Sequence, residues 1–334
     1  MSRGSSGARV RRGARAAVAS ACAVVLATLL AACSEEPKPV YQTSPRPVVE
    51  VSAYDPSLEP SAAVLPLVPA EATRLEVTDF DQLRLVLGYG NLDGRSPAAD
   101  RARFARQALR STALTQGRLR AGDARLRRDF GIGQDDVAWE ATWQLPSGGR
   151  GWVVAFHTNV PMASVDRAVR AGAAALRGGT VDTARRLVTS GAAPEPTSSW
   201  GAEQQLVRLV GRTAVSTYVE RDCIPFATVY GAGVEEQLAT MPALRLRRLD
   251  RLDAFAVALG GELATVQLGP SRSDAFDRAR IADLLPSTTP DFSSVLGRPV
   301  ADPSTGRVGY TLSDPAAAAR LVLARTLPFA VCPG

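Results

Sequence analysis

At 334 residues, 46% hydrophobic, 22% charged and 6% aromatic, the chain is neither collagen-like, nor mostly disordered, nor a polytopic membrane protein. It has room for one or two folded domains. The formal net charge of +6 misleads: Arg3, Arg9, Arg11, Arg12 and Arg15 precede the first apolar run, and without them 34 basic residues face 33 acidic ones, so no global field steers the remainder to a nucleic acid.

The five arginines make a basic n-region, and residues 1–32 hold no acid. Ala16 to Ala32 follows as an uncharged Ala/Val/Leu-rich run. It is short and weakly apolar for a spanning helix and suits a signal h-region. The run ends in Leu30-Ala31-Ala32-Cys33, which resembles the lipobox of bacterial lipoprotein precursors. Small residues let the signal peptidase approach the backbone, and the thiol that follows accepts a diacylglyceryl group. The resemblance implies cleavage between Ala32 and Cys33, with Cys33 as the lipidated first residue of the mature protein. The membrane would then be a partner through that lipid, on the extracytoplasmic face. An ordinary secretory signal or an uncleaved anchor would equally place residues 34–334 outside the cytoplasmic membrane.

Residues 33–65 are rich in proline (Pro37, Pro39, Pro45, Pro47, Pro56 and Pro60) and start polar, which predicts an extended tether. Cys22 leaves with the signal and Cys33 takes the lipid. Cys223 and Cys332 remain as an even pair in a compartment where disulfides persist, and a Cys223–Cys332 bridge is expected. Two cysteines and the single histidine cannot supply a usual zinc set, so no metal is expected.

In chain order, residues 74–78 read as a strand. Asp79 caps a helix that runs to about Gly88, with Gln82 three residues on as in a capping box. Ser96-Pro97 starts a second helix running to about Leu114, and a short one spans 123–130 and stops at Gly131. Residues 137–158 alternate with period two, which predicts a hairpin strand pair with one wet face. A two-residue Gly148-Gly149 turn would set Trp143 opposite Val154 and Glu140 opposite His157, with Trp139, Trp143 and Trp152 on one face. A helix follows over 161–176, then a strand near 187–189. The Pro- and Ser-rich stretch 190–201 marks a boundary between a first half (66–190) and a second (201–334).

The second half reads as a helix at 204–210, a strand at 214–220, a helix at 234–240 and a strand at 244–249. A helix at 250–259, a strand at 262–268 and a helix at 274–285 come next. A strand from Arg307, a helix from Pro315 and a last strand at 329–332 close the chain. Three matches in the same order suggest an internal duplication: 81–88 with 253–260, 100–105 with 277–282, and the strand-plus-helix at 151–161 with that at 306–315. The expected fold is therefore α+β, in two similar halves, each with a small antiparallel or mixed sheet packed by helices and a ligand cleft between them.

The chemistry is read mostly by elimination. No GxSxG accompanies His157, and the folded part has no lysine, which removes P-loop, Schiff-base and SxxK chemistry. Gly231-Ala232-Gly233 lacks the third glycine of a dinucleotide fingerprint, since Glu236 stands in its place, so no cofactor is expected. Glu140 and His157 are the weak catalytic candidates, as a cross-strand acid–imidazole pair; a surface ladder pair is the plainer reading. Asp135/Asp136, Glu235/Glu236 and Asp79/Asp81 are carboxylate pairs of the kind glycosidases use, read more simply as solvated surface and, for Asp79, as a cap. The run Arg118, Arg120, Arg125, Arg127 and Arg128 reads as a solvated helix face. The expectation is a lipid-anchored envelope protein that binds a small apolar or glycan ligand or an envelope protein partner and no nucleic acid. A carboxylate-dependent cell-wall hydrolase is the alternative.

Overall fold

The structure is a computed structural model that describes residues 53–231, 249–284 and 291–333. The expected signal segment, Ala32, Cys33, Glu235, Glu236, the expected helix at 234–240 and nearly all of the expected strand at 244–249 lie outside them. The fold is α+β, built on one antiparallel sheet. Its strands are β1 (Arg74–Asp79), β2 (Val137–Gln144), β3 (Arg150–Phe156), β4 (Thr180–Asp182), β5 (Leu187–Thr189), β6 (Ser216–Arg221), β7 (Ala254–Leu259), β8 (Leu263–Gln267), β9 (Leu296–Asp302) and β10 (Arg307–Leu312). They lie in the order β4-β5-β3-β2-β1-β6-β7-β8-β10-β9. Where the sequence suggested a small sheet in each half, β1 pairs with β6 along its length and joins the strands into one sheet.

One face carries the longer helices: α1 (Phe80–Val86), α2 (Ala98–Ala108), α3 (Asp123–Phe130), α4 (Met162–Arg170), α5 (Ala275–Leu284) and α6 (Pro315–Leu323). Phe80, Leu83, Phe104, Leu126 and Val165 pack there on Trp152, Val154 and Phe156. Further along, Ile281, Leu321 and Phe329 pack on Phe255, Val257 and Val266. The opposite face is covered by Val64, Leu65 and Leu67 from before β1 and by Trp200, Leu206 and Leu209 from before β6, over Leu75, Val77, Trp139, Val153 and Ala256. Two stretches read as loose are thus part of the core. Residues 61–68 are buried although the proline-rich composition reads as tether to residue 65, and Trp200, at the end of the expected boundary loop, is fully buried and donates to Ala72 O at 3.2 Å.

The hairpin differs from its expected register. The ladder closes at Gln144–Arg150, with Trp143 opposite Gly151 and Thr142 opposite Trp152. Pro146 cannot donate to a ladder and sets the start of a tight turn. Gly148 (φ 85°) takes the left-handed position, and Leu145 N donates to Gly149 O at 2.8 Å, a three-residue loop in place of a two-residue one. The shift is odd, so it moves Trp152 to the face opposite Trp139 and Trp143. The second face is not wet but covered by helices, and the three tryptophans do not form one strip.

The predicted helix at 250–259 is also corrected. Residues 254–259 are β7, with Phe255 and Val257 facing one side and Ala254 and Ala256 the other. The alternation Ala-Phe-Ala-Val-Ala-Leu is a strand period, and pairing on both edges with β6 and β8 outweighs the helix preference of alanine. The matched segments 81–88 and 253–260 are therefore helix and strand, not equivalents. The expected terminal strand at 329–332 is a 3-10 turn, Pro328–Ala330, with one parallel bridge from Val331 to Ile224.

Cys223 and Cys332 form the expected disulfide, closing a separation of 109 residues. Next to it, fully buried Arg278 donates to Phe329 O at 2.8 Å, Val331 O at 3.0 Å and Asp250 O at 2.7 Å, and pairs with buried Asp274 at 2.6 Å. Covalent and ionic clamps thus hold the same C-terminal segment.

Candidate functional site

The site lies at the end of the sheet where β1 finishes. Asp79 is the N-cap of α1, its Oδ1 accepting from Gln82 N at 2.9 Å, as the sequence pattern required. Asp81 follows in the first turn, where a carboxylate suits the positive end of the helix. One turn on, Arg84 is buried and reaches Asp81 at 2.6 Å. Its Nη2 donates to Asp135 O at 3.1 Å and Val137 O at 3.0 Å, which fastens α1 to the start of β2. His157 leaves the end of β3 with Nε2 at 2.7 Å from Asp81 Oδ1 and 3.3 Å from Arg84 Nη1. A carboxylate oxygen can only accept, so Nε2 carries the proton in the contact with Asp81.

The loop carrying His157 is held from below. Arg186 Nε donates to His157 O at 3.0 Å, and its Nη2 donates to the carbonyls of His157 and Val160. Arg186 does this from a left-handed backbone (φ 60°) in the turn between β4 and β5, a conformation that costs about 1 kcal/mol or more in a non-glycine residue. Tyr54 and Trp139 lie with ring centroids 6.3 Å apart. Together with Leu58, Asn91 and Asp93 these groups line an open cleft of about 710 Å³.

Among the cleft carboxyls Asp79 and Asp93 have no cation in salt-bridge contact, and of the two only Asp79 is pushed upward by its surroundings. Burial pushes Asp79 up to about 6; the bond from Gln82 N acts against this, and nearby Asp81 and Glu59 raise it further. Asp81 pairs with Arg84 and hydrogen-bonds His157, and Asp93 is held by Ser96, the Arg95 amide and Asn159. Asp79 is therefore the carboxyl placed to change protonation near neutral pH.

The expected Glu140–His157 pair does not form. Glu140 faces Val154 and Thr78 across its neighbouring strands and is buried under the helices. It accepts from Arg118 N at 2.9 Å, and burial raises its carboxyl above the ordinary range. His157 lies beyond the ladder and meets Asp81 instead. Asp135 is not solvated surface either: it is buried among Arg101, Arg120 and Arg127 at 3.4, 3.4 and 2.8 Å. Arg120 and Arg127 of the arginine run therefore turn inward. Arg118 lies 3.9 Å over the Trp152 ring, and only Arg125 and Arg128 keep the exposed pairing with Asp129 that a solvated face would show. Sequence reasoning missed Arg84, Arg186 and Tyr54 as site residues. The spacing Asp81-x-x-Arg84 was a signal for a helix pair, but nothing in it names His157, 76 residues away.

Among the described residues no helix is long and apolar enough to cross a membrane, and no group of three or more His, Cys, Asp or Glu is placed to hold a metal ion. No protein-family model, curated protein or solved structure matches this chain.

Proposed function

We propose that this chain is a lipid-anchored extracytoplasmic protein of a bacterial cell envelope, and that it binds a ligand or partner group in the cleft at the Asp79 end of the sheet. The observation that carries the binding reading is the cleft itself. An aromatic pair, Tyr54 and Trp139, stands beside an uncompensated carboxyl, Asp79, and an oriented imidazole, His157. Such a mix of apolar wall and few fixed polar groups is how ligand sites are commonly built. The envelope reading is supported by the basic n-region, the h-region and the lipobox, and by the Cys223–Cys332 disulfide, a bond that persists outside reducing compartments. Cys33→Ala should release the protein from membranes; continued pelleting would refute the anchor. Native mass spectrometry of the full chain from an exporting host tests the cleft. A non-covalent mass should be retained, be released by denaturation, and be lost in Asn91→Trp, which fills the cleft. A bound mass that survives Asn91→Trp would move the site elsewhere.

Duplication is part of this proposal. Counted outward from the central pair, the wings run β1-β2-β3-β5-β4 and β6-β7-β8-β10-β9, and α4 follows β3 as α5 follows β8. The same connection order twice supports two similar halves, with an alignment different from the one the sequence suggested. A second functional reading, hydrolysis of cell-wall polymers, is favoured by one observation. Asp79 and Asp81 line the same cleft in unlike settings, one raised by burial and one beside Arg84 and His157, which is how an acid and a base are set apart. Turnover of cell-wall glycan or peptide that Asp79→Asn abolishes would establish it.

A further inference from the structure

We propose that the Asp79 end of the sheet is a membrane-facing edge that rests its exposed leucines in the headgroup layer of an anionic bilayer. This rests on the anchor reading above and adds an orientation to it. Eight large apolar side chains are exposed among the described residues, and five belong to this end: Leu58 at 38%, Leu85 at 63%, Val86 at 43%, Leu109 at 59% and Leu263 at 61%. They form a connected belt. Leu58 and Gly90 both line the cleft, and Leu85 lies against Gly90. Val86 lies against Gly261 in the β7–β8 turn, two residues before Leu263. Thr112 Oγ1 donates to Gly260 O at 2.6 Å and brings the Leu109 segment to the same turn.

Two further features name the occupant. The chain coming from Cys33 enters the described fold at this end, where Tyr54, Pro56 and Leu58 form a wall of the cleft. Only about 20 residues lie between Cys33 and this end, so a lipid on Cys33 would tether this end more closely than the opposite one. Charge agrees on the side of α2. This helix is tied to the same end at both termini, through Arg101 on Gly94 O and Ser96 O and through Thr112, and it exposes Arg103, Arg106 and, just past it, Arg110. Asp100 pairs with Arg103, Glu262 sits beside Leu263, and Asp55, Glu59, Asp79 and Asp81 lie on the Leu58 side, so the basic surplus is confined to the α2 flank. Basic side chains around a few exposed leucines suit an anionic interface. The other end, with the Pro146–Gly148 loop and Ser304, lies one strand length away, about 25 Å.

The test uses the full chain, acylated in a bacterial host and reconstituted into vesicles of phosphatidylglycerol and phosphatidylethanolamine. Single cysteines replace Leu85, Leu109 or Leu263 at the proposed edge, and Ser147 or Ser304 at the opposite end. Each is labelled with an environment-sensitive dye and quenched with brominated acyl chains. All five positions are exposed, so folding is not at stake. Labels at 85, 109 and 263 should be quenched at least threefold more than those at 147 and 304. Vesicle-bound protein with equal quenching at both ends overturns the edge and leaves the anchor standing. A chain that does not float with vesicles at all overturns both.

Discussion

Replacing Asp79 by asparagine should make the protein more stable at neutral pH. Asparagine caps a helix about as well as aspartate, so the bond from Gln82 N survives. What changes is the charge. Asp79 keeps its proton to higher pH when folded, up to about 6 against an ordinary 3.8. Between those values the folded chain holds more protons than the unfolded one, and stability falls as pH rises; above pH 6 the loss is complete. The full difference is at most about 3 kcal/mol, and partial solvent access brings it to about 1–2 kcal/mol. Urea unfolding at pH 7.5 should therefore show Asp79→Asn stabilised by about 1–2 kcal/mol, with the gain shrinking to about a third at pH 4.5. Destabilisation at pH 7.5, or an equal gain at both pH values, would refute the burial account. A carboxylate kept at such a cost in an open cleft is the kind of stability–function compromise a binding site makes.

Three other expectations concern the frame around the site. Arg278→Met removes the bonds to Phe329 O and Val331 O and leaves buried Asp274 with Arg272 as its one charged partner, beside the Asp250 amide. Denaturant unfolding should show a loss of about 3–5 kcal/mol, and a change below 1 kcal/mol would mean the cluster is not a clamp. Cys223→Ser should expose one alkylatable thiol at Cys332 and cost about 2–5 kcal/mol; reactive thiols at Cys223 and Cys332 in the unreduced wild-type chain would count against the bridge. Gly151→Ala would place a methyl 2.1 Å from the Trp143 indole and should lower stability by about 1–3 kcal/mol through overpacking, read as a shifted melting temperature and altered tryptophan fluorescence.

Features set by neighbouring residues were legible in the sequence. Asp79 capped α1 because a short carboxylate three residues before a free amide satisfies it wherever the helix goes. Gly131 stopped α3, with φ at 71°. The Cys223–Cys332 bridge followed from counting thiols, since only two remain once Cys22 and Cys33 are set aside, as the expected signal and lipobox would do. Period-two alternation located β2 and β3.

What the sequence could not decide was set by long-range pairing. Residues 254–259 became a strand because β6 and β8 were there to bond both edges, a fact absent from the local string. The hairpin slipped from its expected register because Pro146 and Gly148 together favour a three-residue loop, and that shift moved Trp152 to the opposite face of the sheet. Glu140 was buried because helices cover a face whose polar residues suggested water. Asp81 and His157 met only because β1, β2 and β3 are adjacent, with the end of β3 beside the start of α1. The β1–β6 pairing, 142 positions apart at their first residues, fused two sheets into one. Local chemistry fixes caps, turns and periods within a few residues; which strand lies beside which is a global balance of burial and edge pairing, and it placed the cleft.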